Sequence, residues 1–267
     1  MFREMTLGQY YYTDSLIHRL DPRVKLAGTL AFAVSLFFPK NLPGLFCAAI
    51  FLFLVIRASR VPLKMMVQGV RPLLILIIFS ALINMFTVQG KVILSLWRFS
   101  LTEEGLRMAF YLVVRLVFLV AGTSVMTYTT TPARLTAGLE QSLGFLNRIR
   151  IPVHEIAMMM TIALRFIPIL TRELDQIMKA QMSRGASFDE GNLIQRARSA
   201  VPVLVPLFVS SIRKASDLAL AMEARGYHGG DGRTRMYPLS YGKRDRVAYL
   251  LLALYLVLMI LCAVFFA

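Results

Sequence analysis

A chain of 267 residues that is 57% hydrophobic and only 17% charged, yet carries a formal net charge of +15, belongs to a narrow set of protein classes. Soluble domains are about a quarter charged, whereas this mean hydropathy of +0.62 with a pI of 10.3 suits a membrane protein whose bases collect in loops on one side. The composition excludes a disordered chain and a disulfide scaffold, because the two cysteines, Cys47 and Cys262, each lie inside an apolar run. It also argues against a soluble nucleic-acid binder, although the charge alone would fit one.

Residues 1–25 mix bases (Arg3, Arg19, Arg23, Lys25) with acids (Glu4, Asp14, Asp21) and lack the pattern of a secretory leader. Apolar runs follow at 26–38, 45–56, 72–90, 106–127 and 247–267, and the fourth carries Arg107 and Arg115. A crossing helix needs about 20 apolar residues. The first two runs are shorter, so each must borrow flanking residues, and the turn at 39–44, with Pro39, Pro43 and Gly44, makes them a helical hairpin. Asn84, deep in the third run, is expected to hydrogen-bond to a neighbouring helix. Arg115 is expected to face the bundle rather than lipid.

The loops set the orientation. Residues 57–64 hold three bases and no acid, and residues 131–246 hold 17 bases against 10 acids by direct count. The positive-inside rule places these segments and the N-terminus in the cytoplasm. The loop at 91–102 is then external, with Trp97 as an interfacial aromatic. The expected organisation is a cytoplasmic segment at 1–25, four transmembrane helices in 26–130, a cytoplasmic region at 131–246 and a final transmembrane helix at 247–267. The fold class is an all-α membrane protein with about five transmembrane helices plus long cytoplasmic or interfacial helices.

The 131–246 region carries the most information. A short helix is expected at 132–146, with Thr131 as cap and Pro132 at its first position. Next, Ile156, Met160, Ala163, Ile167, Leu170, Leu174 and Ile177 recur at the spacing of one helix face. That pattern contains Pro168 and stops at Ser183, Arg184 and Gly185. A second pattern includes Val201, Leu204, Phe208 and Ile212, contains Pro202 and Pro206, and stops at Ala224, Arg225 and Gly226. The two read as a degenerate repeat. Glycine after the last helical residue can take the left-handed conformation that caps a helix. The arginine before it sits at the negative end of the helix dipole and can project a planar fork of five donors. One such ending is an ordinary helix stop; two on similarly built helices point to a shared docking role. Prolines inside an isolated helix cost about 3 kcal/mol each, so both helices are expected to pack on each other beneath the membrane.

No phosphate-binding loop, metal-ligand spacing or nucleophilic triad is present, so no catalytic residue, metal site or cofactor is expected. Acidic residues are absent from 26–90, which argues against an ion-coupled carrier. If the protein takes part in active transport, the energy source lies elsewhere.

Three segments resemble the T component of energy-coupling factor (ECF) transporters: DSLIHRLDPRVK at 14–25, ALRFIP at 163–168 running on to SRG at 183–185, and MEARGY at 222–227. The resemblance covers nearly the whole chain. It implies a non-catalytic coupling subunit of an ATP-driven vitamin or micronutrient uptake system in a prokaryotic cell membrane. Its implied partners are two ABC-type ATPases and a substrate-binding membrane subunit. Ser183, Arg184, Gly185, Ala224, Arg225 and Gly226 would then form the two ATPase-docking ends, with serine in the first motif where alanine is usual. The apolar faces of the same helices, at Met159, Met160, Ala163, Ile167, Val201, Leu204 and Phe208, would contact the substrate-binding subunit. Flexible methionines, including Met158 to Met160, suit a surface that accepts several partners. The N-terminal segment with Gly8, Gln9 and Tyr10 resembles the shared-module group, in which one module serves interchangeable substrate-binding subunits. The competing readings are a membrane-embedded lipid-modifying enzyme and a stand-alone carrier.

Overall fold

The computed structural model describes residues 10–39, 41–88, 91–96, 99–186, 188, 192–229 and 238–265. Gly8, Gln9 and Trp97 lie outside them. The described chain is helical apart from one short hairpin. It divides into two compact units, Met1–Ser142 with Pro238–Ala267, and Leu143–Tyr237.

In the first unit, α1 (Pro22–Ser35) starts where the Asp21 carboxylate accepts from the Arg23 N–H, with Pro22 supplying the fixed φ of a first turn. Helix α2 (Leu42–Ser59) ends at Arg60 in the left-handed region, φ 56°. Helix α3 (Leu63–Val70) passes through a 3-10 turn at Arg71–Leu73, where Pro72 falls, into α4 (Leu74–Thr87). Residues 91–102, read from sequence as a loop, contain strands β1 (Val92–Leu96) and β2 (Phe99–Thr102), paired antiparallel. Helix α5 (Glu103–Thr129) is capped by the Thr102 hydroxyl, which accepts from the Gly105 N–H at 3.1 Å. Helix α6 (Pro132–Ser142) has the expected Thr131 cap, accepting from the Arg134 N–H at 3.4 Å. Helix α9 (Lys243–Phe265) closes the unit.

Among the described residues, five helical stretches are long and apolar enough to cross a membrane: Leu42–Ser59, Leu63–Thr87, Glu103–Thr129, Val153–Ser183 and Lys243–Phe265. The number matches the sequence reading, but the membership differs. The 14-residue α1 is about 21 Å long, short of a hydrocarbon core of about 30 Å. Helix α7 (Val153–Ser183) enters the set by length and composition.

The core of the first unit gathers Phe32 and Leu36 of α1, Ala48 and Leu52 of α2, Ala121 of α5, and Tyr255 and Met259 of α9. Phe51 stacks on Tyr255 with centroids 4.1 Å apart, and the Tyr255 hydroxyl meets the Ser35 hydroxyl at 2.8 Å. Small residues permit these approaches: a Cβ on Gly122 would lie 2.7 Å from the Phe32 ring. A second cluster joins Val61, Met66, Val125 and Tyr128. Asn84 departs from expectation. Its amide donates to the Ser80 carbonyl at 2.9 Å, one turn back in the same helix, so the polar group is satisfied within α4.

The 14–25 motif forms a polar knot in this unit. His18 bridges the Ser15 hydroxyl at 2.7 Å and the Tyr11 carbonyl at 2.9 Å. Burial holds the His18 imidazole below its ordinary pKa, outweighing the hydrogen bond to Tyr11. Lys25 donates to the Thr129 carbonyl at 2.8 Å, tying α1 to the end of α5. The Asp245 carboxylate accepts from the N–H groups of Asp21 and Gly242, both at 2.8 Å, and so ties α9 to the same loop. The Arg23 guanidinium pairs with Asp21 and lies 3.8 Å over the Tyr241 ring.

The second unit holds a 3-10 segment at Gly144–Ile149, then α7 and α8 (Leu193–Ala224), of 31 and 32 residues. Helix α8 begins with a capping box between Asn192 and Gln195.

Candidate docking ends of the two long helices

The side chains that join α7 to α8 fix their direction. Gln181 of α7 donates to the Pro202 carbonyl at 3.4 Å, while Glu173 accepts from Ser210 and Lys214 of α8. Residue numbers rise on one helix as they fall on the other, so the pair is antiparallel. The Gln181 contact has a specific cause. Pro206 has no N–H, which leaves the Pro202 carbonyl, one turn earlier, without its intrahelical donor. Gln181 supplies that donor from the neighbouring helix. Prolines that would weaken a lone helix are thereby accommodated in a packed pair.

The packing uses a stripe that the apolar pattern alone does not reveal. On α8, Val203 is buried and Leu207, Ser210, Lys214, Leu218 and Met222 are half-buried. The apolar stripe read from sequence lies beside it and is uncovered: Val201, Leu204, Phe208 and Ile212 are all exposed, Phe208 at 67%. On α7 the stripe splits. Ile167, Leu170, Leu174 and Ile177 are half-buried, whereas Ile156, Met159, Met160 and Ala163 are exposed. Of the seven residues expected to contact a membrane partner, six are therefore exposed and Ile167 is half-buried. Leu204, Val205, Leu207, Phe208, Val209 and Ser211 line an open apolar depression.

Both helices end in the same hydrogen-bond pattern. At the first end, the N–H of Gly185 donates to the Met182 carbonyl at 2.9 Å and that of Ala186 to the Gln181 carbonyl at 3.0 Å. At the second, Gly226 donates to the Glu223 carbonyl at 2.9 Å and Tyr227 to the Met222 carbonyl at 3.1 Å. These are two Schellman motifs, with glycine at φ 89° and 73°. Arg184 and Arg225, one residue earlier, share a conformation, φ −89° and −92° with ψ 6° and 10°. An added Cβ on either glycine would meet nothing within 4 Å, so glycine is required by the dihedral and not by space. Ser183, Arg184, Gly185, Ala224, Arg225 and Gly226 are all exposed.

The antiparallel packing sends these ends in opposite directions. Arg184 lies three residues beyond Gln181, and Arg225 lies 23 residues beyond Pro202, about 35 Å along a helix. The pair thus presents two exposed guanidinium groups of matched local geometry at its two extremities. Among the described residues, no group of three or more His, Cys, Asp or Glu side chains could hold a metal ion. Sequence reasoning missed Gln181 and the Glu173, Ser210 and Lys214 cluster. The proline at 206 was the available signal for the first, because it marks the orphaned carbonyl.

Five helices of membrane-crossing length among the described residues define a multi-pass helical membrane protein. The family model described as "Cobalt transport protein" (CbiQ) matches residues 13–237. The chain is 49% identical over 248 residues to an energy-coupling factor transporter transmembrane protein EcfT of Thermosediminibacter oceani, covering 93% of this chain and 94% of that one. It is 48% identical over 252 residues to the EcfT of Clostridium kluyveri, covering 94% and 93%. The EcfT of Lactococcus lactis is 40% identical over 260 residues, covering 97% and 98%. The chain belongs to this CbiQ/EcfT family of transmembrane components of energy-coupling factor transporters.

Proposed function

We propose that this chain couples two ABC-type ATPases to a substrate-binding membrane subunit in vitamin or micronutrient uptake, as a non-catalytic component of the cytoplasmic membrane. The observation that carries the proposal is the pair of matched Schellman ends, each presenting an exposed arginine from an opposite extremity of one packed helix pair. Two like ends suit two like partners. Arg184 and Arg225 are the anchors, and Ser183, Gly185, Ala224 and Gly226 shape the ends around them. When ATP closes the ATPase pair, the anchored ends move, and the antiparallel packing passes that movement along both helices. The uncovered stripes at Met159, Met160 and Ala163, and at Val201, Leu204 and Phe208, hold the substrate-binding subunit, with Ile167 at their margin. The bases in 57–64 and 131–246 orient the N-terminus and the long helices toward the cytoplasm. The N-terminal segment suits the shared-module group.

The test is co-purification of both ATPases with the Arg184→Glu, Arg225→Glu double variant from membranes. We expect capture to be lost while the variant still inserts and melts like the parent. Full capture of both ATPases by the inserted double variant would falsify the docking role.

A further inference from the structure

Arg115 is a charge inside the first unit with no carboxylate partner among the described residues. It projects from the middle of α5, is half-buried, and donates from one terminal nitrogen to the Pro39 carbonyl at 3.4 Å while lying 5.3 Å over the Phe37 ring. Its Nε is buried and has no hydrogen-bond partner among the described residues. The same holds for the hydroxyl of Tyr111, one turn earlier on the same face. A further turn on, the exposed Arg107 lies 5.7 Å over the Tyr111 ring. Arg107, Tyr111 and Arg115 therefore form a ladder at i, i+4 and i+8.

The ladder stands where the bundle is short. One end of α1 meets α5 at Thr129, through Lys25, and the turn beyond its other end meets α5 at Arg115, through Pro39. Fourteen residues of α5 separate those points, about 21 Å. The α1 arm of the hairpin thus covers only part of a hydrocarbon core of about 30 Å. Measured along α5 from Thr129, Arg115 lies about 9 Å inside the far boundary and Arg107, at about 33 Å, lies on it. Phe37, Phe38 and Leu42 at the hairpin turn are each 62% exposed. This end of α5 therefore sets a basic ladder beside an exposed apolar turn. A partly buried guanidinium without a counter-charge is costly, and a guanidinium forms strong charge-assisted hydrogen bonds with phosphate.

We infer that this end of α5 binds the phosphate of one anionic phospholipid, drawn below the membrane face by Arg115, with the exposed Arg107 at the entrance.

The test is native mass spectrometry of the full-length chain purified from micelles containing phosphatidylglycerol or phosphatidylcholine. The wild type should retain one phosphatidylglycerol, at least fivefold above phosphatidylcholine. Arg115→Met should lose that preference and Arg115→Lys should keep most of it. Should Arg115→Met fail to fold, Arg107→Gln on the exposed rung should still reduce retention at least twofold. A thermal-melting arm separates the sources: dioctanoyl-phosphatidylglycerol should raise the melting temperature and inorganic phosphate should not. Equal retention of both lipids by the wild type, unchanged retention in folded Arg115→Met or in Arg107→Gln, or equal protection by inorganic phosphate overturns the inference.

Discussion

Replacing Gly185 or Gly226 by alanine isolates the geometry of the docking ends from their charge. Each glycine has positive φ, 89° and 73°, and open space where a Cβ would go. The cost is therefore conformational, about 1–2 kcal/mol for an L-residue forced into the left-handed region. Relaxing out of that region breaks the two closing hydrogen bonds and swings the preceding arginine away from its capped direction. At 1.4 kcal/mol per factor of ten, each substitution should weaken ATPase capture by about 5- to 30-fold. Asparagine, which tolerates the left-handed region better, should do less harm than alanine. The assay is titration of the purified chain with each ATPase, read as a dissociation constant, beside a melting curve to show that the body of the protein is intact. Because the two motifs match bond for bond, the penalties should agree within about threefold. No loss at either end, or a large loss at one end alone, would refute the reasoning that both ends act through the same capped geometry.

Two further outcomes follow from the first unit. Gly122→Ala forces the Phe32 ring to move, since the new Cβ would lie 2.7 Å from it, and overpacking of this kind costs about 1–3 kcal/mol; the melting temperature in detergent should fall and be partly restored by adding Phe32→Leu. His18 is held below its ordinary pKa by burial, so the unfolded chain binds the proton more readily than the folded one. Its contribution is complete above the unfolded value of about 6.5 and fades as pH falls through the lower folded value. Melting temperatures between pH 7.5 and 5.5 should drop, and His18→Gln should flatten that slope.

What could be read from the residues alone was whatever is decided within a few positions. The Thr131 cap, the proline-containing long helices and the two glycine endings all depend on dihedral preferences and hydrogen bonds spanning about six residues. The same local logic made Arg184 and Arg225 candidates. Asn84 was misjudged because a short side chain can share the carbonyl one turn back, here that of Ser80, and needs no neighbouring helix for that bond. Helix α1 looked like a crossing segment by its apolarity, and its 14-residue length emerged only with its caps and with the α5 contacts that bound it.

The tertiary structure decided which faces meet. Helix α8 carries two adjacent stripes, and composition favoured the more apolar one for packing. The structure instead turns Val203, Leu207, Ser210 and Lys214 toward α7 and leaves Leu204 and Phe208 uncovered. That choice rests on pairs 21 to 41 residues apart, Gln181 with Pro202 and Glu173 with Ser210 and Lys214. A periodic pattern records that a face is apolar, but only the partner's polar groups determine whether that face is buried or presented. The antiparallel direction that separates Arg184 from Arg225 comes from those same long-range pairs, so the residues name the two ends and the packing sets them apart.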